Sequence, residues 1–381
     1  MKITVALGTR PEIVKLAPVV AALRAAGHDV RTIATGQHAD PRLAGQFFAD
    51  LGFFPDTAWQ LPDDEGARVG ALLSAGFAEF AARRADAVVV LGDTYTAPLV
   101  AMAARRFGIG VIHVEAGLRS ANEKSMEEIH RRMMPALATV HFAPTTLAAE
   151  CLRQEGVAPE RIRVVGNPVI DAVVASGVSR VPWQQRSGVL LTAHRAGNVD
   201  DPQRLAELVA LVRALGRRSP PVVFPVHPRT RSRLVAAGRF DELAHADGVR
   251  LVEPLPYREL LQTLAASRIV VTDSGGLQEE AAWLGVPVVV LRTTTPRWEG
   301  VRNGSAVLTG MDAARALDAA ARLTDPAEAA RIDALPCPYG DGRTGPRIAA
   351  ALADPEFASL IPPREPELGD GEPAFLAKEL T

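Results

Sequence analysis

Short runs of apolar, β-branched residues alternate with longer segments of helical periodicity along most of the chain. The first of these runs is Ile3–Leu7, and residues 11–25 follow it with apolar side chains at helical spacing. The apolar runs are continuous and do not alternate with polar residues, which is typical of parallel strands covered by helices on both faces. The pattern therefore predicts an α/β fold of doubly wound parallel sheets, in which ligands bind at the carboxyl ends of the strands.

The alternation begins again after residues 176–182, a linker-like segment. The strands predicted before this segment are residues 3–7, 30–35, 87–91, 110–114 and 140–143. The strands predicted after it are residues 189–192, 222–226, 249–252, 269–272 and 287–291. Two such halves predict two domains, residues 1–175 and 176–345, that face each other across a cleft.

The C-terminal residues 346–381 differ from both halves. We expect a helix and then a tail that packs back on the first domain or is partly disordered. In the tail from Pro355, residues 362–370 are polar and rich in proline, which predicts a surface strap or a partly disordered segment.

Length, charge and cysteine content exclude several classes of protein. The 381 residues suit two domains of roughly 100–200 residues each. A formal net charge of −2 gives no electrostatic reason to expect nucleic acid or an anionic membrane as partner. No apolar run reaches the roughly 20 residues of a membrane helix, and no signal-peptide pattern follows Met1. Cys151 and Cys337 form neither a disulfide framework nor a zinc motif, so we expect a soluble cytoplasmic protein.

An anion site is one interpretation of residues 8–12, which read Gly-Thr-Arg-Pro-Glu between the first strand and its helix. Glycine permits a tight turn, proline suits the first helical turn, and free N–H groups at a helix start attract an anion. Arg10 and Lys15 add positive charge to this interpretation. An ordinary turn with a capping threonine explains the segment equally well. The segment is not G-x-G-x-x-G, so it does not predict a dinucleotide site.

Three acidic residues, Asp93, Glu115 and Glu127, follow predicted strands or begin a helix in consecutive strand–helix units. Each alone has a structural explanation, because Asp and Glu commonly cap helices or complement the helix dipole. Three carboxylates at one edge of a sheet are less easily explained in that way. Such a cluster raises a pKa and supplies a general acid and a general base, so we predict that these residues are catalytic.

The second half carries two histidines at strand ends, His194 and His227, each with an arginine nearby. One such histidine is usually structural, but two with arginines indicate a polyanion. Residues 274–280 read Ser-Gly-Gly-Leu-Gln-Glu-Glu, where a strand ends and a helix begins. Backbone N–H groups and the positive helix end are then expected to face a phosphate. Glu279 and Glu280 are expected to bind the two ribose hydroxyls.

Taken together, these motifs resemble those of the non-hydrolysing UDP-N-acetylglucosamine 2-epimerases, which have the GT-B fold. The similar segments occur in that family's order between about residues 3 and 345. They are residues 8–12, 35–38, 92–94, 113–119, 165–168, 192–195, 227–228, 273–281 and 338–342. The resemblance implies two Rossmann-like domains, a homodimer, and a reaction that needs neither nicotinamide nor metal.

The resemblance also implies that the second domain holds most of a bound UDP, while the first lines the sugar pocket. In that family the proton on sugar C2 and the UDP on C1 leave to give a glycal, and UDP adds back after C2 is reprotonated from the other face. The residues expected to be catalytic are Asp93, Glu115, Glu127 and His194. The residues expected to bind UDP or the sugar are Arg10, Lys15, Arg131, His227, Ser274, Gly275, Gly276 and Glu280.

Four positions depart from the family pattern. Met126 and His130 stand where the family has proline and asparagine, Gly197 where it has glutamate, and Trp298 where it has proline. Drift within a broad family explains these changes. A different reaction also explains them, namely that of a retaining glycosyltransferase that passes the sugar of UDP-N-acetylglucosamine to a small polyol or cyclitol in a specialised pathway. A UDP-sugar sensor without catalysis is a third hypothesis, which the carboxylate cluster disfavours.

Overall fold

The computed structural model describes residues 1–36 and 53–365. Contacts divide the chain into two compact units. Unit 1 comprises Met1–Leu118, Glu123–Pro168 and the segment that begins at Arg343, and unit 2 comprises Arg119–Asn122 and Val169–Gly342. The predicted domain limits at residues 175 and 345 stay a prediction.

The helices and strands alternate along the described residues. The strands are β1 (Lys2–Leu7), β2 (Asp29–Ala34), β3 (Thr57–Ala58), β4 (Ala87–Leu91), β5 (Gly110–Val114), β6 (Val140–Ala143), β7 (Ile162–Val164), β8 (Val189–Thr192), β9 (Val222–Pro225), β10 (Val249–Val252), β11 (Ile269–Thr272), β12 (Val288–Val290) and β13 (Ala306–Leu308). The α-helices are α1 (Arg10–Ala25), α2 (Glu65–Ala82), α3 (Thr96–Arg106), α4 (Met126–Leu137), α5 (Thr146–Gln154), α6 (Pro168–Ala175), α7 (Ala196–Val199), α8 (Pro202–Arg218), α9 (Pro228–Ala236), α10 (Phe240–Ala244), α11 (Tyr257–Ala266), α12 (Gly275–Leu284), α13 (Trp298–Arg302), α14 (Ala313–Leu323), α15 (Pro326–Asp333), α16 (Thr344–Ala353) and α17 (Pro355–Ala358).

In unit 1 the described strands form one parallel sheet in the order β3-β2-β1-β4-β5-β6-β7. Successive residues of β4 point to opposite faces of the sheet, as the pleat requires. Val89 packs in one apolar cluster with side chains of α1, and Val88 and Val90 pack in another with side chains of α3. Both faces are therefore covered, which confirms the inference from continuous apolar runs.

Unit 2 repeats this arrangement with a parallel sheet in the order β10-β9-β8-β11-β12-β13. Leu191 and Val271 belong to one buried cluster, while their neighbours Leu190 and Val270 belong to the other. In each unit the order of strands reverses beside the first strand, β1 or β8. Side chains at the carboxyl ends of the central strands are therefore placed at a topological switch point.

The chain after residue 342 returns to unit 1, where α16 packs against α1. The chain from Pro355 to Ile361 packs on the same unit. Phe357 and Ile361 are both completely buried, and the Phe357 ring lies 5.6 Å from that of Phe142. Only glycine fits at position 110, because a Cβ there would meet the Ile361 oxygen at 2.4 Å. Ala358 and Leu360 pack against the same core. The strap or partly disordered segment expected at residues 362–370 stays a prediction.

Among the helices of the described residues, none is long and apolar enough to cross a bilayer.

Candidate active site

The carboxyl ends of β4 and β5 place two of the predicted acidic residues side by side. The strands pair in parallel with Leu91 opposite Val114, so Asp93 and Glu115 follow neighbouring strand ends. The Gly92 N–H donates to the Val114 oxygen, and His113 Nε2 lies 2.9 Å from the Gly92 oxygen. The predicted meeting of these two acidic residues at one edge of the sheet is confirmed.

Glu115 is held in a buried network. Its backbone φ of 61° lies in the left-handed region that a residue with a side chain rarely adopts. Lys15 Nζ donates to both carboxylate oxygens at 2.8 and 2.9 Å, and Asn167 Nδ2 donates to one at 3.1 Å. The structure therefore pairs the Lys15 charge with a carboxylate of the same unit. The predicted contact of Lys15 with a ligand stays a prediction.

Helix α4 brings the side chains of Arg131 and His130 to Asp93. Arg131 is buried, and its guanidinium donates to the Asp93 carboxylate and, at 2.7 and 3.0 Å, to the Glu128 carboxylate. His130 Nδ1 lies 2.9 Å from the Asp93 main-chain oxygen. Glu127 is half-buried in the first turn of α4, where the Ser125 hydroxyl donates to its carboxylate. Arg131, predicted as a ligand contact, thus organises the carboxylates around Asp93.

The turn at residues 8–12 differs from the predicted anion site in one respect. The Gly8 N–H is not free, because it donates to the Glu12 carboxylate at 2.9 Å, and the Thr9 hydroxyl donates to the same carboxylate at 3.1 Å. Burial raises the pKa of Glu12 to about 7, although the hydrogen bonds from Gly8 and Thr9 oppose the shift. Arg10 begins α1 and is partly exposed.

In unit 2 a buried carboxylate organises the loop that carries His194. Asp273 follows β11 and accepts hydrogen bonds from the His194 N–H, the Arg195 N–H and Asn198 Nδ2, and its Oδ1 lies 3.1 Å from His194 Nδ1. Burial alone would raise the pKa of Asp273, but His194 and these backbone donors outweigh burial and lower it. The His194 side chain itself remains 40% exposed. His194 is therefore fixed at one nitrogen and accessible elsewhere.

The start of α12 agrees with the predicted phosphate-binding geometry. Ser274 is the N-cap residue, and a Cβ at Gly276 would meet no atom within 4 Å, so the first turn has an open approach. A Cβ at Gly275 would meet the Arg297 guanidinium at 3.0 Å, so glycine lets this cation lie against the helix start. Helix N-termini with accessible N–H groups are well suited to bind anions.

The prediction that both glutamates of α12 bind ribose is wrong for Glu279. Its carboxylate is completely buried and accepts a hydrogen bond from Arg297 Nε at 2.9 Å. Glu280 is 6% exposed, and burial together with the Glu280 charge raises the pKa of Tyr257. His227 is exposed and caps α9 by accepting the Arg229 N–H, and its ring is tilted by 38° against that of His194, with centroids 5.5 Å apart.

Sequence reasoning did not assign a role to Glu12, Asn167, Asp273 or Arg297. For two of these residues, the sequence contains a pattern that indicates a structural role. Glu12 stands three residues after Thr9, the spacing of a capping box, and Asp273 ends a strand directly before the Ser-Gly-Gly turn. The motif residues Gln37 and His38 lie outside the described residues.

The positions that depart from the family pattern have separate environments. Met126 is 58% exposed, and Gly197 is exposed in α7. Trp298 Nε1 donates to the Arg119 oxygen at 3.1 Å. In the described residues no group of three His, Cys, Asp or Glu side chains is arranged to hold a metal ion.

The fold and the polar groups at its strand ends define a class of protein. Two parallel α/β units carry a carboxylate cluster in one unit and an open helix start after a Ser-Gly-Gly turn in the other, which agrees with a GT-B-like two-domain enzyme. A family model described as UDP-N-acetylglucosamine 2-epimerase matches residues 21–353. The chain therefore belongs to the UDP-N-acetylglucosamine 2-epimerase family.

Individual relatives agree with this assignment. The UDP-N-acetylglucosamine 2-epimerase of Bacillus subtilis is 36% identical, with 92% of this chain and 95% of the relative covered. A crystal structure of Methanocaldococcus jannaschii UDP-GlcNAc 2-epimerase in complex with UDP-GlcNAc and UDP is 33% identical, has a TM-score of 0.84 and covers 93% of this chain and 99% of its own. The Pseudomonas aeruginosa UDP-2,3-diacetamido-2,3-dideoxy-D-glucuronate 2-epimerase is 33% identical, with 93% and 99% covered.

Proposed function

We propose that this protein is a UDP-N-acetylglucosamine 2-epimerase, an isomerase that interconverts UDP-GlcNAc and UDP-ManNAc by elimination and re-addition of UDP. The observation that carries the proposal is the ordered set of carboxylates at the ends of β4 and β5 and the start of α4, in a chain of this family. The names of the Bacillus and Methanocaldococcus relatives support the substrate.

The chemistry requires a base, a route for the leaving group and an acid. A carboxylate removes the C2 proton, and the C–H electron pair forms the C1=C2 bond of a glycal while the C1–O bond breaks and UDP leaves with its electrons. In the return step a UDP oxygen attacks C1, and C2 takes a proton on the opposite face. A weakly acidic C–H needs a positioned base, and a diphosphate leaving group needs oriented donors.

Asp93, Glu115 and Glu127 are the acids and bases of the proposal. Arg131 orients the Asp93 carboxylate, Lys15 and Asn167 fix Glu115, and the Ser125 hydroxyl orients Glu127. Fixed geometry of this kind is what proton transfer at carbon demands, because a small misplacement of the base lowers the rate strongly.

UDP is assigned to the first turn of α12 and to the neighbouring imidazoles. The phosphates meet Ser274, Gly275 and Gly276, the ribose meets Glu280, and His194, with His227, stabilises the charge that develops on the leaving diphosphate. The open approach at Gly276 and the exposed part of His194 support this assignment. Positive groups aimed at developing charge contribute mainly in the transition state.

Solvent exchange at C2 tests the proposed reaction. In deuterium oxide, the protein with UDP-GlcNAc alone is expected to give UDP-ManNAc with deuterium at C2, observed by NMR. The matched sample contains UDP-GlcNAc with boiled protein. If the protein binds UDP but the sugar gains no deuterium at C2, the proposal is contradicted. If UDP is released only when a polyol or cyclitol is added, the result favours glycosyl transfer.

The Asp93→Asn variant tests the role of the carboxylate cluster. The amide cannot act as a base, so turnover is expected to fall at least about 1,000-fold while UDP affinity, measured by calorimetry, stays within about twofold. Equal loss of turnover and of UDP binding would instead make Asp93 a structural residue.

The proposal also covers the oligomeric state of the protein and its location in the cell. We expect a homodimer that acts in the cytoplasm. Exposed apolar side chains at Met102, Met126 and Ile129 of unit 1 support a protein-protein contact. Light scattering of the purified protein at micromolar concentration tests the dimer, and a monomeric mass would contradict it.

A further inference from the structure

His130 lies one helical turn after Glu127 and directly before Arg131, so α4 presents these three side chains to the same region. Its Nδ1 lies 2.9 Å from the Asp93 main-chain oxygen, while Arg131 donates to the Asp93 carboxylate. Two consecutive side chains of α4 therefore bind the main chain and the side chain of one acidic residue.

The contact with a carbonyl oxygen fixes the tautomer of the His130 ring. A carbonyl only accepts hydrogen bonds, so Nδ1 carries the hydrogen and Nε2 of the neutral ring bears a lone pair. Within residues 1–36 and 53–365, Nε2 makes no hydrogen bond, and it is not one of the buried polar atoms that lack a partner. The ring is half-buried. Nε2 is thus an accessible acceptor held in a fixed position next to Asp93.

The chemistry of an acceptor determines which part of a nucleotide sugar it can bind. Phosphate oxygens of UDP are themselves acceptors, so they gain nothing from a lone pair at Nε2. Hydroxyl groups and the N-acetyl N–H of a sugar are donors, and both suit it.

We propose that His130 is a specificity-determining residue, in which Nδ1 fixes the Asp93 main chain and Nε2 accepts a hydrogen bond from a hydroxyl or amide N–H of the sugar. The inference rests on the proposed function, because it places the sugar next to Asp93. It makes the position of Asp93 dependent on the His130 ring.

Two variants separate the two nitrogen atoms. His130→Asn keeps an N–H donor for the Asp93 oxygen, but its shorter side chain has no atom at the place of Nε2. His130→Phe keeps a ring and loses both contacts. Ala136→Asn is the matched control, because Ala136 is exposed on the same helix and away from Asp93. Thermal unfolding of each variant establishes that it folds.

Binding of UDP-GlcNAc and of UDP is measured by calorimetry, since neither measurement needs turnover. For His130→Asn, the Kd of UDP-GlcNAc is expected to rise about 10-fold, which is the loss of one hydrogen bond, while the Kd of UDP is unchanged. In turnover, kcat of His130→Asn is expected to stay within about threefold of wild type, and kcat of His130→Phe to fall at least about 10-fold further. The Ala136→Asn control is expected to match wild type in both.

Three outcomes overturn parts of the inference. If His130→Asn binds UDP-GlcNAc as tightly as wild type does, no sugar group donates to Nε2. If the Kd of UDP rises equally, the residue acts on the nucleotide or on folding. If His130→Phe and His130→Asn have the same kcat, the hydrogen bond from Nδ1 to the Asp93 main-chain oxygen has no effect on the function of Asp93. A wild-type protein without deuterium exchange at C2 refutes the proposed reaction, whereas selective loss of UDP-GlcNAc binding in His130→Asn still supports the sugar contact.

Discussion

The carboxyl group of Glu12 combines burial with donors from two residues, Gly8 and Thr9. Burial outweighs these donors, the nearby Asp93 charge adds to the effect, and the pKa of Glu12 rises from 4.5 to about 7. The folded state therefore binds more protons than the unfolded state between these two pH values. Stability from this group is fully present below pH 4.5 and is lost as the pH rises through about 7.

The Glu12→Gln variant tests this pH dependence. A shift of one pKa unit corresponds to about 1.4 kcal/mol, so ionisation of Glu12 costs the wild type up to about 3 kcal/mol between pH 5 and pH 8. Glutamine cannot ionise, so the free energy of unfolding of the variant is expected to fall less over this interval. Urea unfolding at pH 5, 6, 7 and 8, followed by circular dichroism, measures both slopes. Glu356→Gln, at an exposed position of the same unit, serves as the control. Equal slopes for wild type and Glu12→Gln would show that Glu12 titrates alike in the folded and unfolded chain.

At the residue scale, the sequence predicted which side chains reach the strand ends but not what binds them. Asp93 and Glu115 follow from counting along apolar runs, because parallel strands end at one edge of a sheet. The pairing of Lys15 with Glu115 joins residues 100 positions apart, and no local pattern encodes it. The Arg297–Glu279 pair likewise depends on the packing of one loop against a helix start.

At the element scale, strand prediction found every central strand and the edge strand β10, and it missed the other three edge strands. The limits of β4, β5, β6, β8, β10 and β11 agree with the predicted ones to the residue. The strands that were missed are β3, β7 and β13, which are two or three residues long and lie at the edges of their sheets. An edge strand pairs on one side only and need not be an apolar run, so its sequence carries little signal.

Asp273 connects two elements, and its variant tests that connection. The turn after β11 reaches the loop after β8 because these strands are neighbours, and Asp273 then binds the His194 and Arg195 N–H groups. Asp273→Asn places an amide against these donors, so UDP affinity is expected to fall about 10-fold or more. His194→Ala is expected to weaken UDP binding as well. Because Asp273 acts through His194, the double variant is expected to lose less than the sum of the single losses, and additive losses would contradict this coupling.

At the scale of the whole molecule, the chain forms two units, each with its own buried clusters, and its C-terminal segment belongs to the first. The polar, Pro-rich sequence of residues 362–370 predicted a strap or a disordered segment, and it gave no indication of how the preceding residues pack. Phe357 and Ile361 belong to the buried core of unit 1, and Ala358 and Leu360 pack against that core. A few apolar side chains therefore fix the start of a tail whose remaining sequence is mostly polar.

The Phe357→Ala variant tests whether the C-terminal segment stabilises unit 1 alone. Loss of a completely buried phenylalanine costs about 3–5 kcal/mol, and the Arg163 guanidinium, 4.5 Å from the ring centre, loses its aromatic neighbour. Hydrogen exchange is therefore expected to accelerate in β5 and β6, while β8 and β11 of unit 2 keep their protection. Val69→Ala, a change at a side chain that is 38% exposed in unit 1, is expected to alter exchange little in either unit. Equal acceleration in both units would mean that they unfold as one cooperative structure, in which case the separate cores would not correspond to separate folding units.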